Sequence, residues 1–202
     1  MTTNTRTSIR KRTVTAAAAL VAVCATGAWA LAAPERAAGD TGPSAADKVA
    51  RGAYLVKAGG CNDCHTPLKM GPKGPEPDTS RFLSGHPEQM GALKAVPPRG
   101  PWLWAGAATN TAFSGPWGIS YAANLTPDQN TGLGIWTEEM FVKALRTGRH
   151  MGVSREIMPP MPWTAFRNMT DEDLKSIYAY LRSLKPVVNH VPDGQPASAI
   201  VE

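Results

Sequence analysis

The sequence predicts an all-α domain whose helices are joined by a long, ordered Pro- and Gly-rich loop. Residues 45–58, residues 138–147 and the segment after Thr170 show helical spacing bounded by start and stop signals. Prolines at 67, 72, 75, 77, 87, 97, 98, 101 and 116 forbid long helices or central strands in the stretch between the first two helices. Apolar content of 43% and charged content of 18% suit a globular chain, so this stretch reads as ordered and not as a linker.

The chain opens with a cationic segment, residues 1–12, followed by an alanine-rich apolar run at 13–33. Charge, apolar core and small residues in that order make residues 1–33 a secretory signal, with Ala30-Leu31-Ala32 as the cleavage site. An uncleaved anchor is the competing reading, because about 20 apolar residues can span a bilayer. Many alanines make the run weakly hydrophobic, which favours cleavage. Cys24 follows Val23, where a lipidated cysteine would want a small residue. The leader also decides the charge question. It holds Arg6, Arg10, Lys11 and Arg12, four of the 21 basic residues, and no acid. The remaining 17 face 16 acidic residues, a net charge of +1, which excludes the basic surface that nucleic-acid binding needs.

Residues 34–45 are small and polar, a flexible lead-in. The helix at 45–58 presents Val49, Tyr54 and Leu55 with the small Ala50, Gly52 and Ala53, and Gly59-Gly60 stop it. Gly52 offers a point where another helix can approach closely.

Next comes Cys61-Asn62-Asp63-Cys64-His65. Two thiols three positions apart with an imidazole immediately after are the pattern of c-type haem attachment. Each sulfur can form a thioether with one vinyl group, and the following imidazole is then placed to ligate iron. A thioredoxin-like couple would open a helix in a βαβ unit, and a zinc site would need a second ligand pair. Neither context is present in the sequence. The expected cofactor is one covalent haem c, with Cys61 and Cys64 as attachment points and His65 as a metal ligand. No structural disulfide is expected.

Residues 67–123 carry Phe82, Leu83, Trp102, Trp104, Phe113, Trp117 and Tyr121 among their prolines. They read as a wrap that packs aromatic rings over haem and helices, with a carbonyl of Pro72, Pro75 or Pro77 accepting the second N–H of His65. His86 reads as a surface loop residue. In the turn-rich segment 124–136, Asn124 and Thr126 either bond haem propionates or shape the turn, and Trp136 joins them as a cofactor-binding residue.

Thr137 caps the second helix, Glu138 and Glu139 suit its dipole, and Phe141, Ala144 and Leu145 form its buried stripe up to Gly148. Arg146, Arg149 and Arg155 are candidates for propionate contacts or a docking patch. A second axial ligand is sought in Met158-Pro159-Pro160-Met161-Pro162. A thioether is soft and neutral, and pairing it with His raises the reduction potential. Met158 and Met161 both qualify, with His150 as a lesser candidate; Met161, held between two prolines, is preferred as the metal ligand opposite His65. The last helix starts at Thr170, with Asp171, Glu172 and Asp173 in its first turn. Its face of Leu174, Ile177, Tyr178, Leu181 and Leu184 should cross the first helix near Gly52 to Tyr54. Residues 187–202 read as a polar, extended tail.

The blocks GGCNDCHTP, NLTPDQNTGLGIWTEEMFVKALRTGRH and MPPMPWTAFRNMTDEDLKSIYAYLRSL resemble those of bacterial monohaem class I c-type cytochromes. They resemble in particular the cytochrome c modules and subunits of periplasmic dehydrogenases. The resemblance covers most of residues 46–186, the expected cytochrome c domain. It implies a predominantly helical fold, covalent haem c at Cys61 and Cys64, and His65/Met161 ligation. With both axial positions filled the domain would be a periplasmic one-electron carrier and not an enzyme, with no catalytic residues. It would pass electrons from a dehydrogenase to a respiratory-chain acceptor. Two other readings are a fixed electron-transfer subunit of a dehydrogenase and a haem enzyme or gas sensor with an open iron site. Membrane association could come through an uncleaved leader.

Overall fold

The computed structural model describes residues 42–96 and 100–199. The expected secretory signal with its expected cleavage site, Cys24 and most of the lead-in lie outside the described residues. The fold contains helices α1 (Ala45–Ala58), α2 (Cys61–His65), α3 (Glu138–Thr147), α4 (Trp163–Phe166) and α5 (Asp171–Ser183). Strands β1 (Leu68–Gly71) and β2 (Gly74–Pro77) form one antiparallel pair. Strands β3 (Ala105–Gly106), β4 (Ala112–Gly115), β5 (Gly118–Tyr121) and β6 (Gln195–Pro196) form an antiparallel sheet in that order.

The all-α expectation is therefore corrected to a mixed α/β architecture. Proline does exclude long central strands, but it leaves room for strands of two to four residues between breakers. Where proline enters a strand it sits at an edge, which needs no donated ladder bond: Pro75 and Pro77 in β2, Pro196 in β6. Pro116 occupies the tight turn between β4 and β5, where its fixed φ favours reversal.

The three long helices start and stop where their chemistry directs. Ser44 and Asp47 form a capping box at α1, Thr137 accepts from the Met140 N–H at α3, and Thr170 accepts from the Asp173 N–H at α5. Each such cap contributes about 1 kcal/mol. Gly148, in the left-handed region, closes α3.

Helices α1 and α5 cross at Gly52. A Cβ added there would lie 1.9 Å from the carbonyl oxygen of Ser176, so only glycine permits this approach. The crossing buries Leu55 and Val56 against Leu174, Ile177 and Leu181, and Phe141 and Leu145 of α3 complete the cluster. Burial of each such side chain is worth about 1.5–3 kcal/mol. Tyr54 takes no part in the crossing: it is 62% exposed, with the Arg51 guanidinium over its ring.

In the described residues of the wrap only some of the rings turn inward. Phe82 packs on the helical core and Phe113 is buried in β4, whereas Trp102 is 73% exposed. His86 is corrected from a surface residue to a fully buried one. Its Nδ1 is 3.0 Å from the Thr111 hydroxyl, its Nε2 is 3.2 Å from the Gly91 carbonyl, and its ring lies on Tyr121. Both ring nitrogens find partners, which removes the cost of hiding them.

The C-terminal segment is extended and tied into the fold. Fully buried Asn189 donates to the carbonyls of Ser84 and His86 and accepts from the Glu88 N–H and the Arg81 guanidinium. Beyond it, β6 adds to the edge of β5.

Candidate haem site

Helix α2 displays the attachment motif at the rim of a cavity of about 430 Å³. Cys61, Cys64 and His65 line it together with Phe113, Tyr121, Leu133, Phe141, Leu145 and Phe166, largely apolar walls. Both cysteines are free. Burial pushes the Cys61 thiol up to about 11, and burial followed by the Asp63 charge raises Cys64, so both sulfurs are protonated at neutral pH. Such thiols are kept from premature oxidation and metal capture, which need thiolate.

His65 is buried, and its Nδ1 lies 2.7 Å from the carbonyl oxygen of Ala123. A carbonyl can only accept, so Nδ1 carries the proton and Nε2 holds the free lone pair. Burial, opposed by this hydrogen bond, depresses the His65 pKa and keeps the ring neutral. The acceptor is thus Ala123 and not Pro72, Pro75 or Pro77. It is held by the sheet: the Gly85 N–H donates to the His65 carbonyl and the His86 N–H to the Ala122 carbonyl, directly after β5.

Met158 and Met161 both line the cavity, as does Pro160 between them. They differ in their surroundings. Met161 packs against the helical core cluster. The Met158 sulfur is pressed against the C-terminal segment, 2.6 Å from where a Cβ on Gly194 would stand. Met161 is thereby free of that clamp.

Trp136 also lines the cavity, with its carbonyl held by the Tyr178 hydroxyl and its ring edge-on to His150 at 4.9 Å. Asn124 reaches the wall, but its amide donates to the Val187 carbonyl and its oxygen accepts from the N–H and hydroxyl of Thr126. Thr126 is fully buried, accepts from the Val187 N–H, and is not among the lining residues. These two residues fasten the turn to the C-terminal segment. The structure therefore brings Cys61, Cys64, His65, Met161, Trp136 and Asn124 to one cavity and leaves Thr126 behind it.

Sequence reasoning missed the wall made by His190, Val191, Pro192, Asp193 and Gly194. Pro192-Asp193-Gly194 is a turn signal that could have marked it as ordered. No comparable signal exists for Ala123, which acts through its backbone.

Two protonated thiols and a neutral imidazole on one wall, with thioether sulfur elsewhere in an apolar slot, are a donor set suited to haem and define a haem-binding electron-transfer domain. The cytochrome c family model matches residues 49–185, and the chain belongs to that family. Its cofactor is covalently bound haem c. The chain is 32% identical over 154 residues to a nicotinate dehydrogenase subunit of Pseudomonas putida, covering 76% of this chain and 10% of that protein. It is 34% identical over 140 residues to the fructose dehydrogenase cytochrome subunit of Gluconobacter japonicus, covering 69% of this chain and 22% of the relative. It is 28% identical over 181 residues to a diheme cytochrome c-type protein of Cereibacter sphaeroides, covering 87% and 49% respectively. The chain thus matches between a tenth and about half of the length of these relatives.

Proposed function

We propose that this chain is a periplasmic one-electron carrier, with haem c attached at Cys61 and Cys64 and ligated by His65 and Met161. The observation that carries the reading is the bond from His65 Nδ1–H to the Ala123 carbonyl. It fixes the tautomer that leaves Nε2 as a ligand and raises its basicity. Bound haem c supplies one-electron exchange between ferric and ferrous iron. Cys61 and Cys64 hold it through thioethers, while Phe113, Leu133, Phe141 and Leu145 exclude water from the slot. Were His65 and Met161 both to hold the iron, no coordination site would be left for a substrate, and bond-breaking would fall to another protein.

The clamp on Met158 and the rigid Pro160-Met161-Pro162 setting both favour Met161 as the sulfur ligand. The leader supports export to the periplasm, where cysteines of this motif acquire haem. No helix among the described residues is long and apolar enough to cross a membrane. The donor is a dehydrogenase and the acceptor a respiratory-chain component, met in small, transient interfaces. A second reading, a fixed subunit of a dehydrogenase complex, is favoured by the Gluconobacter japonicus relative, which is a fructose dehydrogenase cytochrome subunit.

Optical spectroscopy with carbon monoxide tests the ligation. The ferric protein should show the weak long-wavelength band of thioether ligation and the ferrous protein should bind carbon monoxide poorly. Rapid binding by the native protein would overturn the carrier reading. Co-purification with a dehydrogenase separates the fixed subunit from the free carrier.

A further inference from the structure

We propose that Ser120 is a positioning residue for the sulfur ligand: its hydroxyl, on the strand whose end also orients His65, holds the loop that presents Met161. This rests on the His65/Met161 reading above and adds to it the group that keeps the sulfur side closed.

The loop cannot fasten itself. Proline has no N–H, so residues 158–162 (Met-Pro-Pro-Met-Pro) own only two backbone donors. Neither the Met158 nor the Met161 N–H has a partner among the described residues. The Met161 carbonyl accepts from the Trp163 N–H, and the Pro162 carbonyl from those of Ala165 and Phe166, bonds that belong to the turn into α4. Among the described residues, one hydrogen bond ties the stretch to another element. The Ser120 hydroxyl donates to the Pro159 carbonyl at 2.5 Å, across 39 positions of sequence. Buried Ser84 and Ser176 show the local use of a hydroxyl, bonding carbonyls three and four positions back in their own turns. Ser120 instead reaches a carbonyl two residues before Met161. Prolines stiffen the loop, and Ser120 attaches it.

The mount is firm. Ser120 is 8% exposed and lies on β5, an inner strand of the sheet, opposite Phe113 of β4. On the other side Ile119 pairs with Gln195 of β6, and Gly194 before it packs against the Met158 sulfur. Ser120 and Met161 both line the cavity. Three positions after Ser120, the Ala123 carbonyl accepts from His65 Nδ1. One short stretch of chain therefore grips the segments that carry both proposed axial ligands.

Alanine at 120 would leave the Pro159 carbonyl without its donor and let the loop swing away from the cavity. Loss of one net hydrogen bond raises the open fraction about 2- to 12-fold. By linkage, displacing the sulfur must in turn loosen the hold of Ser120 on Pro159.

The test is carbon monoxide association with the ferrous full-length holoprotein, followed by stopped flow beside the thioether band of the ferric form. Ser120→Ala should speed association about 2- to 12-fold and weaken the band. Ser120→Thr, which keeps the hydroxyl, should stay near the native rate. Ser44 caps α1 and lines no part of the cavity, so Ser44→Ala removes a bond of similar worth and should leave association unchanged. That control separates positioning from general stability. Should Ser120→Ala fail to mature, the native ferrous protein carries the test. Its Ser120 hydroxyl proton, followed by NMR, should exchange more slowly with the sulfur bound than with carbon monoxide in its place. Unchanged association in Ser120→Ala, an equal rise in Ser44→Ala, a Ser120→Thr variant as fast as Ser120→Ala, or equal exchange in both states overturns the proposal. A native protein without the thioether band would instead overturn the Met161 ligation itself, so the two failures are distinct.

Discussion

The imidazole Nδ1 of His65 and the carbonyl oxygen of Ala123 are 2.7 Å apart, although 58 positions separate them in the chain. The bond joins the helix that carries the attachment motif to the end of a β-hairpin. Moving that hairpin should weaken the ligand. A Cβ at Gly85, where φ is +80°, would stand 2.4 Å from the Ala122 carbonyl oxygen. Gly85→Val should therefore displace the Ala122-Ala123 backbone, lower the basicity of His65 and raise the reduction potential, read by spectroelectrochemistry.

Met158 and Met161 should respond differently to truncation. Met161→Ala should lose the thioether band and bind carbon monoxide readily. Met158→Ala should keep the band, because its sulfur is engaged against Gly194. The absorption spectra of the two ferric variants decide the matter.

The crossing of α1 and α5 tolerates no side chain at its centre. Gly52→Ala should cost about 3 kcal/mol, at the upper end for overpacking a well-packed contact, and lower the midpoint of denaturant unfolding.

Asn189→Ala should cost about 3 kcal/mol, because the carbonyls of Ser84 and His86 lose their donor in a dry interior. Asn189→Leu, which keeps a similar volume but no donor, should fare no better. The loss should appear in the same unfolding measurement.

Buried His86 gives the fold an acid limb. Burial, then the Arg81 charge, lower its pKa, against the Gly91 hydrogen bond. The unfolded chain then binds more protons than the folded one, so stability is full above about pH 6.5 and falls as pH drops from there toward the depressed native value. His86→Asn should flatten that limb in denaturant titrations repeated across pH.

The long helices are legible in the sequence because their signals are local. Ser, Thr and Gly caps and the Leu174-Ile177-Leu181 stripe carry boundaries and faces within a dozen residues, and Gly52 marks the crossing. The six strands among the described residues are not legible: at two to four residues each they are too short to show a period, and proline masks them. The attachment motif and both methionines can be read directly. Asn124 and Thr126 admit two roles in the sequence because their partner, the Val187 backbone, lies some 60 positions away. Ala123 contributes a carbonyl that any residue would supply. The wall at residues 190–194 depends on Asn189, a single buried amide whose partners are all distant in sequence.

Covalent attachment at Cys61 and Cys64 is tested most directly by acid–acetone extraction of full-length protein matured with haem-attachment machinery intact. Red colour that stays with the polypeptide, and is lost in Cys61→Ala/Cys64→Ala, is the expected result. Complete transfer of the colour into acetone from the native protein would contradict it.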